Sequence, residues 1–191
     1  MDSVKCEVRK LVIPTYPEPK AEDLPMFAEN RVHQRTSGNP YPNKVVLKVN
    51  RDEKINKEYD VVLLENEYLK IEILPEIGGR IYSALDKTTG YDFFYKQHVI
   101  KPALIGVLGS WISGGVEFNW PFHHRASGFM PCDYTLETLP DGSAVCHLSE
   151  HDPIDRMKGM VSIILRPNEK RFETRMRLYN RTDTAHSFLW W

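Results

Sequence analysis

From Lys44 onward the apolar residues of this chain recur at every second position, not every third or fourth. Val45, Leu47 and Val49 alternate with polar neighbours, and Tyr59 to Leu64 form a mostly apolar run. Leu69, Ile71 and Ile73 then share one side while Lys70 and Glu72 share the other. The pattern returns at Arg80 to Leu85, Tyr134 to Leu139 and Ala144 to Ser149, and again at Val161, Ile163 and Leu165. It closes with Phe172, Thr174, Met176 and Leu178, opposite a solvated face of Arg171, Glu173, Arg175 and Arg177. A period of two places alternate side chains on opposite faces of a strand and cannot give a helix one apolar stripe. Turn signals at Glu65-Asn66-Glu67, Thr88-Thr89-Gly90, Pro140-Asp141-Gly142 and Pro167-Asn168-Glu169 separate the runs. Many short strands at regular spacing predict an all-β fold, an antiparallel β-sandwich.

The first 43 residues are different. A short apolar segment, Glu7 to Ile13, precedes an extended stretch carrying Pro14, Pro17, Pro19, Pro25, Pro40 and Pro42. Proline removes backbone donors and biases the residue before it toward extended geometry. Residues 1–43 are therefore expected to be a strand and an extended arm over the domain surface, with Met26, Phe27 and Tyr41 as anchors. Residues 44–191 would form the sandwich. The closing run Ser187 to Trp191 is apolar and strand-like, so the sandwich is expected to be incomplete on its C-terminal side. Open sheet edges would then pair with a second copy, giving a homodimer.

A length of 191 residues suits one domain with a real core, and 41% hydrophobic with 27% charged residues is globular rather than disordered composition. The formal net charge of −1 and the scattered basic residues argue against nucleic acid as a partner. No run approaches the roughly 20 apolar residues that span a bilayer, so no membrane is expected. The N-terminus lacks a signal-peptide core, and three widely spaced cysteines, Cys6, Cys132 and Cys146, fit neither a disulfide framework nor a zinc ribbon. A cytoplasmic protein with reduced thiols is expected.

Two segments are over-specified for a plain sandwich. In Leu74 to Ile81 a strand runs into Pro75, turns at Gly78-Gly79 and re-enters a strand at Arg80. Paired glycines permit a very tight turn, and the planar fork of Arg80 at its mouth could hold hydroxyls or a carboxylate. A hairpin turn with a surface arginine is the plainer alternative. The second segment, Trp111 to Arg125, packs aromatic, carboxylate, amide, imidazole and guanidinium groups around Gly114-Gly115. Aromatic faces stack on sugar C–H faces, and polar groups meet hydroxyls. If Val116 to Trp120 is extended, Glu117 and Asn119 face one way and Phe118 and Trp120 the other. Glu117 with His123 or His124 could form an acid–base pair, or Glu117 could pair structurally with Arg80 or Arg125. Adjacent histidines in an extended chain diverge and lack ligand-spaced partners, so no metal is expected. No nucleotide fingerprint points to a cofactor, and none is expected. Glu150, Asp152 and Asp155 lie in a charged stretch read as surface, with Asp155 as an outside candidate.

The stretch LPEIGGRIYSALDKTTGYDFFY resembles the early strands of galactose-mutarotase-like domains of the aldose 1-epimerase superfamily. With Pro14-Thr15-Tyr16, Tyr41-Pro42, Lys101-Pro102, GGVEFNWPFHHR, RMKGMV and RLYNRT…SFLWW, it is most similar to an uncharacterised bacterial family. Its members carry this domain N-terminal to tetratricopeptide repeats. The resemblance implies a supersandwich whose concave face binds a sugar. It implies a sugar-binding role for Arg80 and a sugar-facing one for His123 or His124. The superfamily's base glutamate has no counterpart here.

Three functions follow as expectations. The first is sugar processing by acid–base chemistry, of glycoside hydrolase or epimerase type, with Glu117, His123 and His124 catalytic. Arg80, Trp111, Asn119, Trp120 and Arg125 would bind the carbohydrate. The second is a carbohydrate-binding module without chemistry. The third is an interaction domain packing on downstream helical repeats.

Overall fold

The structure is a computed structural model describing residues 3–21, 46, 48–104, 110–120, 124–125, 127–152 and 156–190. Period-two patterning gives strands throughout, and no helix occurs among the described residues. One sheet contains β1 (Lys5–Thr15), β2 (Ile55–Glu65), β3 (Leu69–Leu74), β4 (Arg80–Asp86) and β5 (Tyr91–Asp92), in that order. The other contains β6 (Asp133–Thr138), β7 (Ala144–Asp152), β8 (Met157–Leu165) and β9 (Phe172–Asn180), also in chain order. Every neighbouring pair is antiparallel. The expected all-β sandwich is what the chain forms.

Turn chemistry joins the strands and also locks the sheets. Asn66 accepts from the backbone N–H groups of Tyr68 at 2.8 Å and Leu69 at 2.7 Å, closing the β2–β3 turn. Its amide nitrogen donates to Arg166 O at 2.7 Å and Glu169 O at 2.9 Å, which ties that turn to the β8–β9 turn of the other sheet. One buried amide thus spends all its capacity holding the two hairpins together.

Two cores result. Val62, Leu64, Ile71, Ile73 and Ile81 of the first sheet pack with Cys146, Leu148, Val161, Ile163 and Leu165 of the second. Phe118 and Trp120 join this inter-sheet core from the loop between β5 and β6. The other face of the first sheet is covered as well. Tyr59, Val61, Leu74 and Tyr82 pack there against Ile77, Ile100 and Ile112, so loops form a third layer over the sheet. This layer is what positions the site.

β1 pairs with β2 along its whole length, Lys5 against Glu65 through Thr15 against Ile55, so the opening strand is integral to the first sheet. The expected strand at Lys44 to Val49 does not form over residues 48–50, although Val46 is buried. Val116 to Trp120 is likewise no strand beyond a single rung at Val116. The anchors Met26, Phe27 and Tyr41, the Pro-rich run of residues 22–45, His123 and Asp155 lie outside the described residues. No helix of the described residues is long and apolar enough to cross a membrane. Cys6, Cys132 and Cys146 are free thiols.

Candidate functional site

The β3–β4 turn needs two successive residues at positive φ, and Gly78 and Gly79 supply 65° and 68°. At Gly78 a Cβ would stand 2.4 Å from Gly128 O, so the 127–130 turn lies directly on this one. Gly78 N donates to Met130 O at 2.8 Å and Cys132 N to Pro75 O at 3.0 Å, which knits the two turns.

Arg80 follows at once and turns inward, 2% exposed. Its Nη1 donates to Ile112 O at 3.0 Å and Gly114 O at 2.7 Å, and its Nη2 lies 3.7 Å from Glu117 Oε2. Burial lowers its pKa to about 10 against the pull of Glu117, which leaves it cationic at neutral pH. Across from it, Ile81 and Val116 exchange both backbone hydrogen bonds, at 3.0 Å and 2.8 Å.

The second segment returns the contact. Arg125 is buried and its Nη2 donates to Gly78 O at 2.9 Å, while its Nη1 pairs with Glu150. Ser127 Oγ donates to the other oxygen of Glu150, and the guanidinium stacks 4.1 Å over the Trp120 ring. Burial pushes the pKa of Arg125 down to about 10. Asn119 is buried too, its Oδ1 accepting from Arg125 N at 3.2 Å. Each glycine segment therefore offers its arginine to the backbone of the other.

Glu117 is the partly exposed centre of what remains. Its Oε2 accepts from Trp111 Nε1 at 3.0 Å, and its Oε1 lies 2.8 Å from His124 Nδ1. The latter contact is at ion-pair distance. Trp111 and His124 meet edge to face, with ring centroids 6.2 Å apart.

Of the residues expected to touch a ligand, the structure brings Trp111, Glu117 and His124 together at a partly exposed position. Arg80, Asn119, Trp120 and Arg125 are buried, and their geometry holds loops rather than presenting a surface. Glu117 contacts Arg80 and His124 at once. Glu150, read as surface, is instead the partner of Arg125. The signal was present: Glu150 shares a strand face with buried Cys146 and Leu148, and a charge in an inward register asks for a buried partner.

A cleft of about 800 Å³ opens beside this cluster. One wall is Ile112 and Ser113, in the segment whose carbonyls Arg80 holds, and the opposite wall is Gln97 to Leu104. The two walls meet at the rung where Ala103 and Trp111 exchange backbone hydrogen bonds at 2.7 Å and 2.9 Å. Nothing in the sequence flagged this cleft, because its walls come from segments far apart in the chain. Among the described residues, no three or more His, Cys, Asp or Glu side chains are grouped to hold a metal.

A family model described as a domain of unknown function (DUF5107) matches residues 37–191. The chain belongs to this family. Both glycine segments fall within the DUF5107 match, while β1 precedes it and still belongs to the same sheet. Among solved structures, the chain is similar to a TPR-domain containing protein from Parabacteroides distasonis ATCC 8503. The TM-score is 0.83 at 23% identity over 98% of this chain, a likeness of fold. The chain spans 31% of the length of that protein's chain. The sequence resemblance led to a family found beside tetratricopeptide repeats, and that neighbour's own description agrees with it.

Proposed function

We propose that this DUF5107 domain is carbohydrate-directed and that Trp111, Glu117 and His124 form a site at which a proton is moved on a bound sugar. The observation that carries the reading is the 2.8 Å contact of His124 Nδ1 with Glu117 Oε1, while Trp111 and Arg80 fix the other oxygen of Glu117. His124 and Glu117 serve as the acid–base pair. Trp111 supplies the aromatic surface on which a pyranose ring stacks. The similarity of the glycine segments to galactose-mutarotase-like domains supports the same ligand class.

Among the described residues, the single Glu117–His124 pair suits ring opening or epimerisation. Hydrolysis of a glycoside uses two carboxyl groups roughly 5–10 Å apart. Here Glu117 is the carboxylate beside the imidazole, and Glu150 is committed to Arg125 and Ser127. Ring opening asks less: Glu117 accepts the proton of the anomeric hydroxyl, His124 gives one to the ring oxygen, and the C1–O5 bond breaks to the open aldehyde.

A second reading, an interaction domain that packs on helical repeats, draws on the exposed run Phe188, Leu189 and Trp190.

Titration calorimetry of the chain against mono- and oligosaccharides, with Glu117→Gln and His124→Asn beside it, separates these. Saturable binding kept in Glu117→Gln while turnover of the bound sugar disappears supports a proton-transfer site. Binding with no turnover in any form reduces the role to a binding module. Absence of sugar binding overturns the carbohydrate reading and moves the weight to interaction.

A further inference from the structure

The cleft beside the Trp111–Glu117–His124 cluster has a charge character that the cluster does not explain. Three of its lining side chains are cations, Lys48, Arg51 and Lys101, and no described lining residue is acidic. None of the three has a carboxylate partner among the described residues. Elsewhere Lys5, Lys10, Lys57, Lys70, Lys87, Arg166, Arg171 and Arg175 are in ion pairs. Lys101 is set instead by stacking, its Nζ 4.6 Å over the Tyr16 ring. Arg51 sits in a turn closed by Asn50, whose Oδ1 accepts from Asp52 N and Glu53 N, both at 3.1 Å. No described carboxylate neutralises these cations.

Between them the cleft offers what a sugar ring needs. Gln97 and Ser113, 3.3 Å apart across the opening, supply amide and hydroxyl groups for ring hydroxyls. Pro102, Ala103 and Leu104 supply an apolar wall. A volume of about 800 Å³ admits more than one pyranose. A neutral sugar would leave the three like charges facing one another, whereas an acidic group among them relieves that repulsion and gains charge-assisted hydrogen bonds.

We propose that this cleft binds an acidic carbohydrate, its carboxylate or phosphate held by Lys48, Arg51 and Lys101, with the ring lying toward the rung of Ala103 and Trp111. The inference rests on the carbohydrate reading above and specifies its substrate class. The shared wall at Ile112 and Ser113, clamped by Arg80, joins the anion-holding end to the proton-transfer cluster.

Titration calorimetry with glucuronate and galacturonate, glucose 6-phosphate, and neutral glucose and galactose tests it, each at low and high salt. The expected result is saturable binding of an acidic sugar that weakens with salt, with the matched neutral sugar at least about tenfold weaker. The uronates and the sugar phosphate act as separate arms, so whichever binds identifies the acid group. Arg51→Glu and Lys101→Glu lie at exposed positions and should each weaken the acidic sugar about tenfold while leaving the circular dichroism spectrum unchanged. Lys48→Glu provides a third variant that leaves the Tyr16 stack intact. Equal binding of neutral and acidic sugars, indifferent to salt and to these variants, overturns the acidic-ligand inference and leaves the carbohydrate reading standing. Failure of every sugar to bind overturns both.

Discussion

Gly115 occupies a place that no side chain fits. Its φ is +68°, and a Cβ there would stand 2.1 Å from Ile81 O, inside the rung that joins the two glycine segments. Gly90 has a similar φ of +75°, but a Cβ there would meet nothing within 4 Å, so it isolates the backbone cost alone. Gly90→Ala should cost about 1–2 kcal/mol and Gly115→Ala clearly more, since the Ile81–Val116 pairing must open. Urea unfolding midpoints of the two variants check the order. The thiols provide a second residue-scale test. Burial pushes Cys132 up to about 11 and Cys146 further, while Cys6 is raised by its partial burial. The thiolate is the reacting form, so all three should react slowly with a disulfide reagent near neutral pH in the native protein and fast in denaturant. As pH climbs toward about 11, Cys132 should gain reactivity before Cys146. Early, rapid labelling of Cys146 would contradict its place in the inter-sheet core.

The two glycine segments act as one element because each arginine is held by the other segment. Arg80 holds Ile112 O and Gly114 O, and Arg125 holds Gly78 O and Glu150. Removing either buried arginine takes one partner from a carboxylate and leaves buried carbonyls unpaired, and Arg80→Ala or Arg125→Ala should each cost about 3–5 kcal/mol. Losing both should cost less than the sum, by about 0.5–3 kcal/mol, because the first loss already loosens the shared loops. A double-mutant cycle in denaturant measures that coupling, and strict additivity would show that the segments are independent.

Much of this element was legible from local pattern, and the rest was not for a physical reason. Alternation located β8 and β9 well, with Phe172, Met176 and Leu178 packed on the core and Arg175 and Arg177 outside, since a paired strand must divide its faces. The same alternation in Val116 to Trp120 describes an extended segment that crosses the domain with no ladder beyond one rung. Periodicity reports extension and burial but not the partner strand. It put Phe118 and Trp120 on one face and Glu117 and Asn119 on the other, yet gave no sign that Trp120 and Asn119, both expected to touch a carbohydrate, are buried. The burial of Arg80 was invisible for a related reason, because what covers it lies more than 30 positions along the chain.

At the scale of the whole molecule, the second sheet ends at β9, nine residues long, and no described strand pairs with its outer edge. Such an edge presents a row of unpaired backbone donors and acceptors to any matching strand. The isolated chain is therefore expected to self-associate through β9 as its concentration rises, which light scattering would register as growth toward a dimer. A monomer at every concentration would show that this edge is protected.

Under the proposed function, loops over the first sheet present Trp111, Glu117 and His124, beside a cationic cleft, as the place where a sugar binds. The most direct test follows the indole N–H resonances in a ¹H–¹⁵N spectrum during titration with galacturonate. Trp111 Nε1 donates to Glu117 Oε2, so its resonance should shift saturably, while that of Trp120, buried against β8, should stay in place. A spectrum in which the Trp111 resonance never moves, with this sugar or with its neutral counterpart galactose, would contradict the account.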